Sequence, residues 1–245
     1  MAQQPHMKEK QAVKEAFTEL SSHYEETMDS ELNTFWGWSY QKFIDQLVDR
    51  TEIIENQKIL DIATGTLVIP HKILSKKTPG IHITGLDITE SMLRQGKRKI
   101  SPAEFNTSIS LTCGDAMVLP FSGQAFDLVV SGLASHHMNI PLMLSEMKRV
   151  LKPGGVLSII DVAISPIWEH PIVRGAARIG AFIYFLIKEN LTRARAEFDA
   201  PLHLRTPEGW QMELKTAGFA SIQIVKLSSK YSWIPEPLSI KCVTQ

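Results

Sequence analysis

The chain has 245 residues, 44% of them apolar, which suits one large domain or two small ones. Basic and acidic residues are equal at 26 each, so no net charge draws the chain to nucleic acid or to an anionic membrane. No apolar stretch approaches the ~20 residues of a membrane span. With only two cysteines and no apolar export segment at the start, we expect a cytoplasmic protein.

The first 50 residues have helical patterns, interrupted by an aromatic cluster at 35–40. We expect this segment to form a lid over the remaining domain, residues 51–245, with Tyr24, Trp36 and Tyr40 contacting a substrate. The alternative is that these aromatic side chains anchor the N-terminal helices to the core.

An apolar strand at 58–63 carries Asp61 and continues into a turn that contains Gly65 and then into a helix. Open α/β sheets hold nucleotide-like cofactors at turns of this kind. The turn contains one glycine where most cofactor turns have two or three, so alone it is a weak signal.

A second apolar strand, at 81–87, ends in Asp87. An acid at this position suits the two hydroxyls of a ribose. The alternative is that Asp87 caps the next helix. Because Thr89 can fill that capping role, we expect Asp87 to be free for a ligand.

The third strand, at 109–113, leads to Asp115, whose carboxylate suits an exocyclic amine such as that of adenine. Asp61, Asp87 and Asp115 then lie at the carboxyl ends of three successive strands. Sheets of this class bind ligands at that edge, so the three acids together are a more specific signal than any one.

Two further strands at 126–131 and 155–161 flank an amphipathic helix at 139–151, and the last residues of the chain supply two more. The alternation of strands and helices predicts a doubly wound, mostly parallel sheet of seven strands.

His136 and His137 follow the fourth strand and are the candidate catalytic residues. A histidine takes a proton from a phenol or an acidic carbon near neutral pH. The alternative is that the pair is structural or only adjacent to a cofactor.

The insertion at 165–204 contains an apolar helix that needs a partner, and we expect Phe182 to contact the substrate or the helix to make a homodimer contact. After it, Thr206 and Pro207 mark the start of another helix. Four arginines of the insertion are interpreted as a solvated face, and the alternative is that they bind an acidic acceptor: Arg174, Arg178, Arg193 and Arg195. Cys113 is interpreted as strand core, and no cluster with ligand spacing predicts a metal site.

These motifs resemble those of the class I S-adenosylmethionine-dependent methyltransferases, particularly the branch with ubiquinone and menaquinone C-methyltransferases. The matching strings occur in family order at 59–66, 85–93, 114–121, 126–131 and 146–155. The resemblance covers residues 55 to 162 strongly and the N-terminal segment and insertion weakly.

The resemblance implies a Rossmann-like methyltransferase fold and methyl transfer from S-adenosylmethionine to a small or lipophilic acceptor of aromatic or quinone-like type. S-adenosylhomocysteine is then the product. Ile88 and Met117 would lie on either side of the adenine. The implied cofactor-binding residues are Asp61, Ala63, Thr64, Gly65, Thr66, Asp87, Ile88, Met92, Gly114, Asp115, Ala116, Met117 and Ser131.

The chain departs from the family pattern at Ala63 and Leu67, where glycines are usual. We expect the turn to tolerate Ala63 if its φ is negative. Two alternative functions keep the same fold. One is a rearrangement or elimination with the cofactor as a fixed charge, and the other is a non-catalytic binding subunit.

Overall fold

A seven-stranded sheet forms the centre of the computed structural model, which describes residues 3–231 and 234–245. The strands lie in the order β3-β2-β1-β4-β5-β7-β6, and β7 runs antiparallel to both of its neighbours. The predicted doubly wound, mostly parallel sheet is confirmed. In chain order the strands are β1 Lys58–Ile62, β2 His82–Asp87, β3 Ile109–Cys113, β4 Phe126–Gly132, β5 Leu151–Ala163, β6 Phe219–Lys226 and β7 Glu236–Thr244.

Helices cover both faces of this sheet. In chain order they are α1 Gln3–Leu20, α2 Tyr24–Trp36, α3 Tyr40–Arg50, α4 Val68–Ser75, α5 Glu90–Lys97, α6 Pro102–Ser108, α7 Ile140–Val150, α8 Pro171–Lys188, α9 Leu191–Glu197, α10 Ala200–His203 and α11 Pro207–Thr216. Single 3-10 turns lie at Ser135–His137 and Pro166–Glu169.

Side chains of β1 alternate between two hydrophobic layers, as the pleat of a strand requires. Leu60 and Ile62 pack in the layer that contains α7 and α11, whereas Ile59 packs with α2, α3 and α4. Because helices bury both faces, the central strands are almost continuously apolar. This explains why the strands could be located from sequence.

The aromatic cluster at 35–40 separates α2 from α3. Gly37 ends α2 with a left-handed backbone, φ +77°, and Ser39 caps α3 by accepting a hydrogen bond from the Lys42 amide. The indoles of Trp36 and Trp38 donate to the carbonyls of Pro235 and Ser228 at 2.6 and 2.7 Å. These two tryptophans therefore anchor the N-terminal segment to the chain after β6.

The start of α11 is as predicted, since the Thr206 hydroxyl accepts a hydrogen bond from the Gly209 amide at 3.0 Å. The interpretation of Cys113 as strand core is wrong, because β3 is an edge strand and this side chain is exposed. Within the described ranges, no helix combines the length and apolar character needed to cross a bilayer.

Candidate active site

The turn that follows β1 has an unusual backbone. Ala63, Gly65 and Leu67 all have positive φ, at +56°, +54° and +65°. The condition under which the turn was expected to tolerate Ala63, a negative φ, is therefore not met. A left-handed backbone costs a non-glycine residue about 1–2 kcal/mol, so two such residues store strain in one short turn.

Hydrogen bonds hold this turn in place. The Thr64 amide donates to the Leu86 carbonyl at 3.0 Å, which ties the turn to β2. Its hydroxyl donates to Asp61 at 2.5 Å, and the Leu67 amide donates to the Thr64 carbonyl at 3.0 Å. The surrounding structure thus fixes a conformation that the residues themselves disfavour.

Glycines on neighbouring elements compensate for the larger side chains of the turn. A Cβ on Gly96 of α5 would lie 2.5 Å from Leu67 Cγ and 2.8 Å from the carbonyl carbon of Thr66. A Cβ on Gly85 of β2 would lie 2.9 Å from Thr64 Cγ2. In most turns of this kind a glycine inside the turn allows close packing. Here the glycines are on the neighbouring elements, and they leave room for the larger side chains of the turn.

Two buried carboxyl groups flank the turn. Asp61 is fully buried, its Oδ1 atom has no hydrogen-bond partner among the described residues, and burial raises its pKa to about 8. Asp87 accepts from the amides of Gly65 at 2.9 Å and Thr89 at 2.8 Å, and burial raises its pKa as well. Thr89 occupies the N-cap position of α5, as expected, but its side chain makes no capping bond within the described chain.

Two small cavities of about 60 and 70 Å³ lie beside this turn, and we call them the turn-side cavities. They share Val13, Ala63, Asp87, Ile88, His137 and Met138. The first also contains Asp115, which forms an ion pair with Lys10 of α1. The predicted residues that line one or both are Ala63, Gly65, Asp87, Ile88, Met92, Gly114, Asp115, Ala116 and Met117.

The other predicted cofactor residues lie behind the cavity walls. The Ser131 hydroxyl donates to the Ile62 carbonyl at 2.9 Å and joins β4 to β1. The Thr66 hydroxyl donates to Glu25 of α2 at 2.7 Å. Together with Asp61 and Thr64, these side chains position the turn and are not wall residues of either cavity.

A third cavity, of about 180 Å³, adjoins the turn-side cavities, and we call it the apolar cavity. Four residues line both it and the second turn-side cavity: Phe17, Tyr24, Leu133 and His137. Most of the remaining wall is apolar: Met28, Leu32, Phe35, Trp36, Val162, Ala181, Phe185, Ala200, Pro201, Leu204 and Pro235.

Two of the predicted substrate contacts, Tyr24 and Trp36, line the apolar cavity. Tyr40 instead packs edge-on against Tyr24, with ring centroids 5.9 Å apart. Phe182 packs against Phe198, and the wall residues of α8 are Ala181 and Phe185. Tyr40 and Phe182 are therefore not wall residues of the cavity, because the helical phase of α8 turns Phe182 towards α9.

His137 lies where the cavities meet, and His136 lines the apolar cavity beside it. His136 Nδ1 is 2.8 Å from Asp161, which also accepts from the amides of Ser135 and Val162. Burial opposes protonation of His136, but Asp161 outweighs it and raises the pKa of the imidazole. Burial lowers the pKa of His137. His136 is thus the stronger base of the two imidazoles.

A buried charged cluster forms the polar end of the apolar cavity. Arg193 is 4% exposed, so its interpretation as part of a solvated face is wrong. Its nearest carboxylate oxygens are on Glu197 at 3.1 Å, Glu31 at 3.5 Å and Glu189 at 3.8 Å. Burial raises the pKa of Glu31 to about 8. For Glu197, burial is outweighed by Arg193, which lowers the pKa.

The sequence carried signals for some of these residues. Glu189, Arg193 and Glu197 have the i,i+4 spacing of helical ion pairs. Asp161 stands at the carboxyl end of β5 in an otherwise apolar run, like the three acids already singled out. Glu31 carried no such signal, because only the fold brings α2 to α9.

A depression of about 790 Å³ lies near Gly123, Pro153 and Thr244. Pro153 is near the start of β5 and Thr244 ends the antiparallel β7, so this depression is at the amino-terminal edge of the parallel strands. Open α/β sheets bind ligands at the opposite edge, where the turn-side and apolar cavities lie.

A family model described as the ubiE/COQ5 methyltransferase family matches residues 4–174 of the chain. The chain belongs to this family. It is therefore an S-adenosylmethionine-dependent methyltransferase, and S-adenosylmethionine is its cofactor.

Two relatives of known function match the chain over much of its length. A demethylmenaquinone methyltransferase from Symbiobacterium thermophilum is 32% identical over 185 residues, which are 75% of this chain and 69% of the relative. A ubiquinone/menaquinone biosynthesis C-methyltransferase UbiE from Cereibacter sphaeroides is 32% identical over 151 residues, 61% of this chain and 58% of the relative.

Solved structures confirm the methyltransferase fold of this ubiE/COQ5 family member. A geranyl diphosphate methyltransferase in complex with S-adenosylmethionine aligns with a TM-score of 0.67 at 11% identity, over 91% of this chain and 90% of the other. The [4+2]-cyclase SpnF aligns with a TM-score of 0.65 at 16% identity, over 93% of this chain and 96% of the other. Since a cyclase has the same fold, fold similarity alone does not define the reaction.

Proposed function

We propose that the chain methylates a lipophilic, quinone-like aromatic acceptor held in the apolar cavity, with the cofactor in the turn-side cavities. The observation that carries this proposal is the continuity of the two spaces. Phe17, Tyr24, Leu133 and His137 belong to the walls of both, so a ring on one side adjoins a ligand on the other. The quinone methyltransferases among the relatives support the acceptor class.

The residues around the turn fit the cofactor. Each oxygen of Asp87 accepts one backbone hydrogen bond and keeps a lone pair for a ribose hydroxyl. Asp115 and the Ala116 region suit the adenine amine, between Ile88 and Met117. The strained turn would hold the methionine portion. When bound, the cofactor supplies an electrophilic methyl group on a positively charged sulfur.

For the acceptor, the chain provides a dry apolar wall and one polar end. The wall excludes water and orients the ring, which contributes much of the rate in a direct displacement. His136 and His137 stay the predicted catalytic pair, and their position at the junction supports a role on an acceptor oxygen or carbon. The pair of Asp161 with His136 fixes which ring nitrogen remains free.

The proposal is tested with S-adenosylhomocysteine formation on a soluble hydroquinone lacking the ring methyl. Transfer chemistry releases S-adenosylhomocysteine in proportion to methylated product. Conversion of the acceptor without that release would instead support the rearrangement or elimination chemistry, and cofactor binding with no reaction would support the binding subunit.

Asp87→Ala should weaken S-adenosylmethionine binding about tenfold or more, because two ribose hydroxyls lose a charged acceptor. Titration calorimetry gives the dissociation constant. The matched control is Asp49→Ala, which removes an exposed carboxylate of α3 that pairs with Lys76. Equal affinity of Asp87→Ala and the control would remove Asp87 from the cofactor site.

The proposal extends to the setting of the protein. A cytoplasmic location and the absence of nucleic acid as a partner fit the balanced net charge. A homodimer through α8 fits a helix whose outward side chains are apolar: Ile172, Ile179, Ile183, Leu186 and Ile187.

A further inference from the structure

Three side chains at the junction of the cavities can contribute to one coordination site. His136, His137 and Glu197 each offer one ligand atom, and these atoms all lie within 4.8 Å of one another. Spacing along the sequence did not predict a metal site, because Glu197 is on α9, far from the histidines in sequence. The fold alone brings it to them.

Two of these atoms are buried and make no hydrogen bond of good geometry with the described residues. They are His137 Nε2 and Glu197 Oε1, on side chains that are only 7% and 9% exposed. Their ionic contacts are with each other at 3.4 Å and, for the Glu197 oxygen, with Arg193 at 3.1 Å. Buried polar atoms usually have well-formed hydrogen bonds, so this arrangement suits a ligand that both atoms share.

The distance between these two atoms matches joint coordination. His137 Nε2 and Glu197 Oε1 are 3.4 Å apart. Two ligands of one tetrahedral ion, at bonds of about 2.0–2.2 Å, lie roughly 3.3–3.6 Å apart. The pair therefore already has the separation of two ligands of one ion, and the ligand atom of His136 lies within 4.8 Å of both.

His136 already has a carboxylate partner on one ring nitrogen, as metal-bound histidines usually have. Its Nδ1 atom lies 2.8 Å from Asp161, a fully buried carboxylate. In metal sites such a carboxylate fixes the ring orientation and makes the other nitrogen a better ligand.

The surrounding charges favour a cation. Three carboxylates surround the site, Asp161, Glu189 and Glu197, against one buried guanidinium among the described residues, that of Arg193. Glu31 adds no charge near neutral pH, because burial raises its pKa to about 8. Arg193 contacts the Glu197 oxygen at 3.1 Å, which orients this carboxylate without neutralising the whole cluster. An added positive charge is stabilised by this excess of acids.

We propose that His136, His137 and Glu197 bind a divalent transition-metal cation of the zinc type, at the polar end of the apolar cavity. Two imidazoles and one carboxylate suit such an ion. With three protein ligands, a coordination position is left for an oxygen of the acceptor. The inference rests on the proposed function for that last point only.

The test is titration of chelator-dialysed protein with Zn²⁺ by calorimetry, and with Co²⁺ by its visible spectrum, in the absence of acceptor. We expect one ion per chain. Glu197→Gln and His137→Gln should each weaken Zn²⁺ binding at least about a hundredfold, because a direct ligand is lost.

Two control variants make the result specific. His71→Gln removes an exposed histidine on α4 and should leave the affinity unchanged. Glu189→Gln removes one charge of the cluster but no ligand, so the affinity should fall only a few-fold. Circular dichroism and S-adenosylhomocysteine binding verify that each variant is folded.

No binding at one ion per chain, or an affinity that Glu197→Gln leaves unchanged, would overturn the metal site. Methyl transfer is measured separately. If the protein binds Zn²⁺ through these residues but releases no S-adenosylhomocysteine, the metal site stands and the proposed function is contradicted. If it releases S-adenosylhomocysteine but binds no Zn²⁺, only the metal site is contradicted.

Discussion

At the scale of single residues, the turn after β1 resolves the departure of this chain from its family pattern. Leu67 stands where a glycine is usual, and it is buried against Gly96 with a left-handed backbone. Ala63 has a left-handed backbone as well, but its side chain is a single methyl group and buries much less apolar surface than that of Leu67. The two substitutions are therefore unequal, although the sequence pattern treats them alike.

Ala63→Gly should raise the free energy of unfolding by about 0.5–1 kcal/mol, since relief of a left-handed alanine exceeds the added freedom of the unfolded chain. Leu67→Gly should lower it by about 2–4 kcal/mol, because the cavity left beside Gly96 outweighs the relief of strain. Urea denaturation measures both. Loss of stability in Ala63→Gly would mean that the turn is not strained.

A second residue-scale prediction concerns Asp61, whose pKa burial raises to about 8. Between its ordinary pKa of about 3.9 and pH 8, the folded protein holds a proton that the unfolded chain does not, so stability falls as pH rises through this window. A positively charged cofactor beside the turn favours the ionised carboxylate.

S-adenosylmethionine binding at pH 7 should therefore release a proton, and well above pH 8 it should not. Calorimetry in two buffers of different ionisation enthalpy measures the release. Asp61→Asn should abolish it, whereas Asp49→Asn, at an exposed site, should leave it intact. Proton uptake by the wild-type protein would contradict the assignment.

At the scale of elements, the predictable parts were those governed by local patterns. The apolar runs of β1 to β5, the Thr206 cap and the break between α2 and α3 follow from propensity and capping. The polar end of the apolar cavity was not predictable, since Glu31, Asp161 and Glu197 come together only through packing of α2 and α9 on the sheet. The positive φ of Ala63 depends on its neighbours in the same way.

Helix α1 carries the next prediction. Its Lys10 forms an ion pair with Asp115 inside a turn-side cavity, and the same carboxylate is the proposed partner of the adenine amine. Lys10→Met keeps the apolar stem and removes the competing charge. We expect S-adenosylhomocysteine to bind about two to ten times more tightly.

Titration calorimetry compares Lys10→Met with Lys14→Met, an exposed lysine on the same helix, as the control. Unchanged affinity in both variants would mean that the ion pair does not compete with the cofactor. Weaker binding in Lys10→Met would make the lysine a contributor to the site.

At the scale of the whole molecule, α8 is an element that lies on the surface. None of its described residues is buried, although it is 18 residues long and largely apolar. Its inner face covers the apolar cavity through Ala181 and Phe185. Its outer face has no partner within the described chain, which fits the proposed homodimer.

Sedimentation velocity tests the homodimer. We expect a dimer for the wild-type protein and a monomer for Ile183→Glu, which places a charge on the outer face of α8. Ile54→Glu changes an equally exposed isoleucine elsewhere and should leave the dimer intact. A wild-type monomer at high concentration would exclude this assembly.

The position of α1 also has a consequence for the order of events in turnover. Val13 lines both turn-side cavities, and Phe17 lines one of them together with the apolar cavity. Helix α1 therefore forms part of the wall of the cofactor side and of the acceptor side. A displacement of this one helix would open both sides together, which would couple release of spent cofactor to release of methylated product.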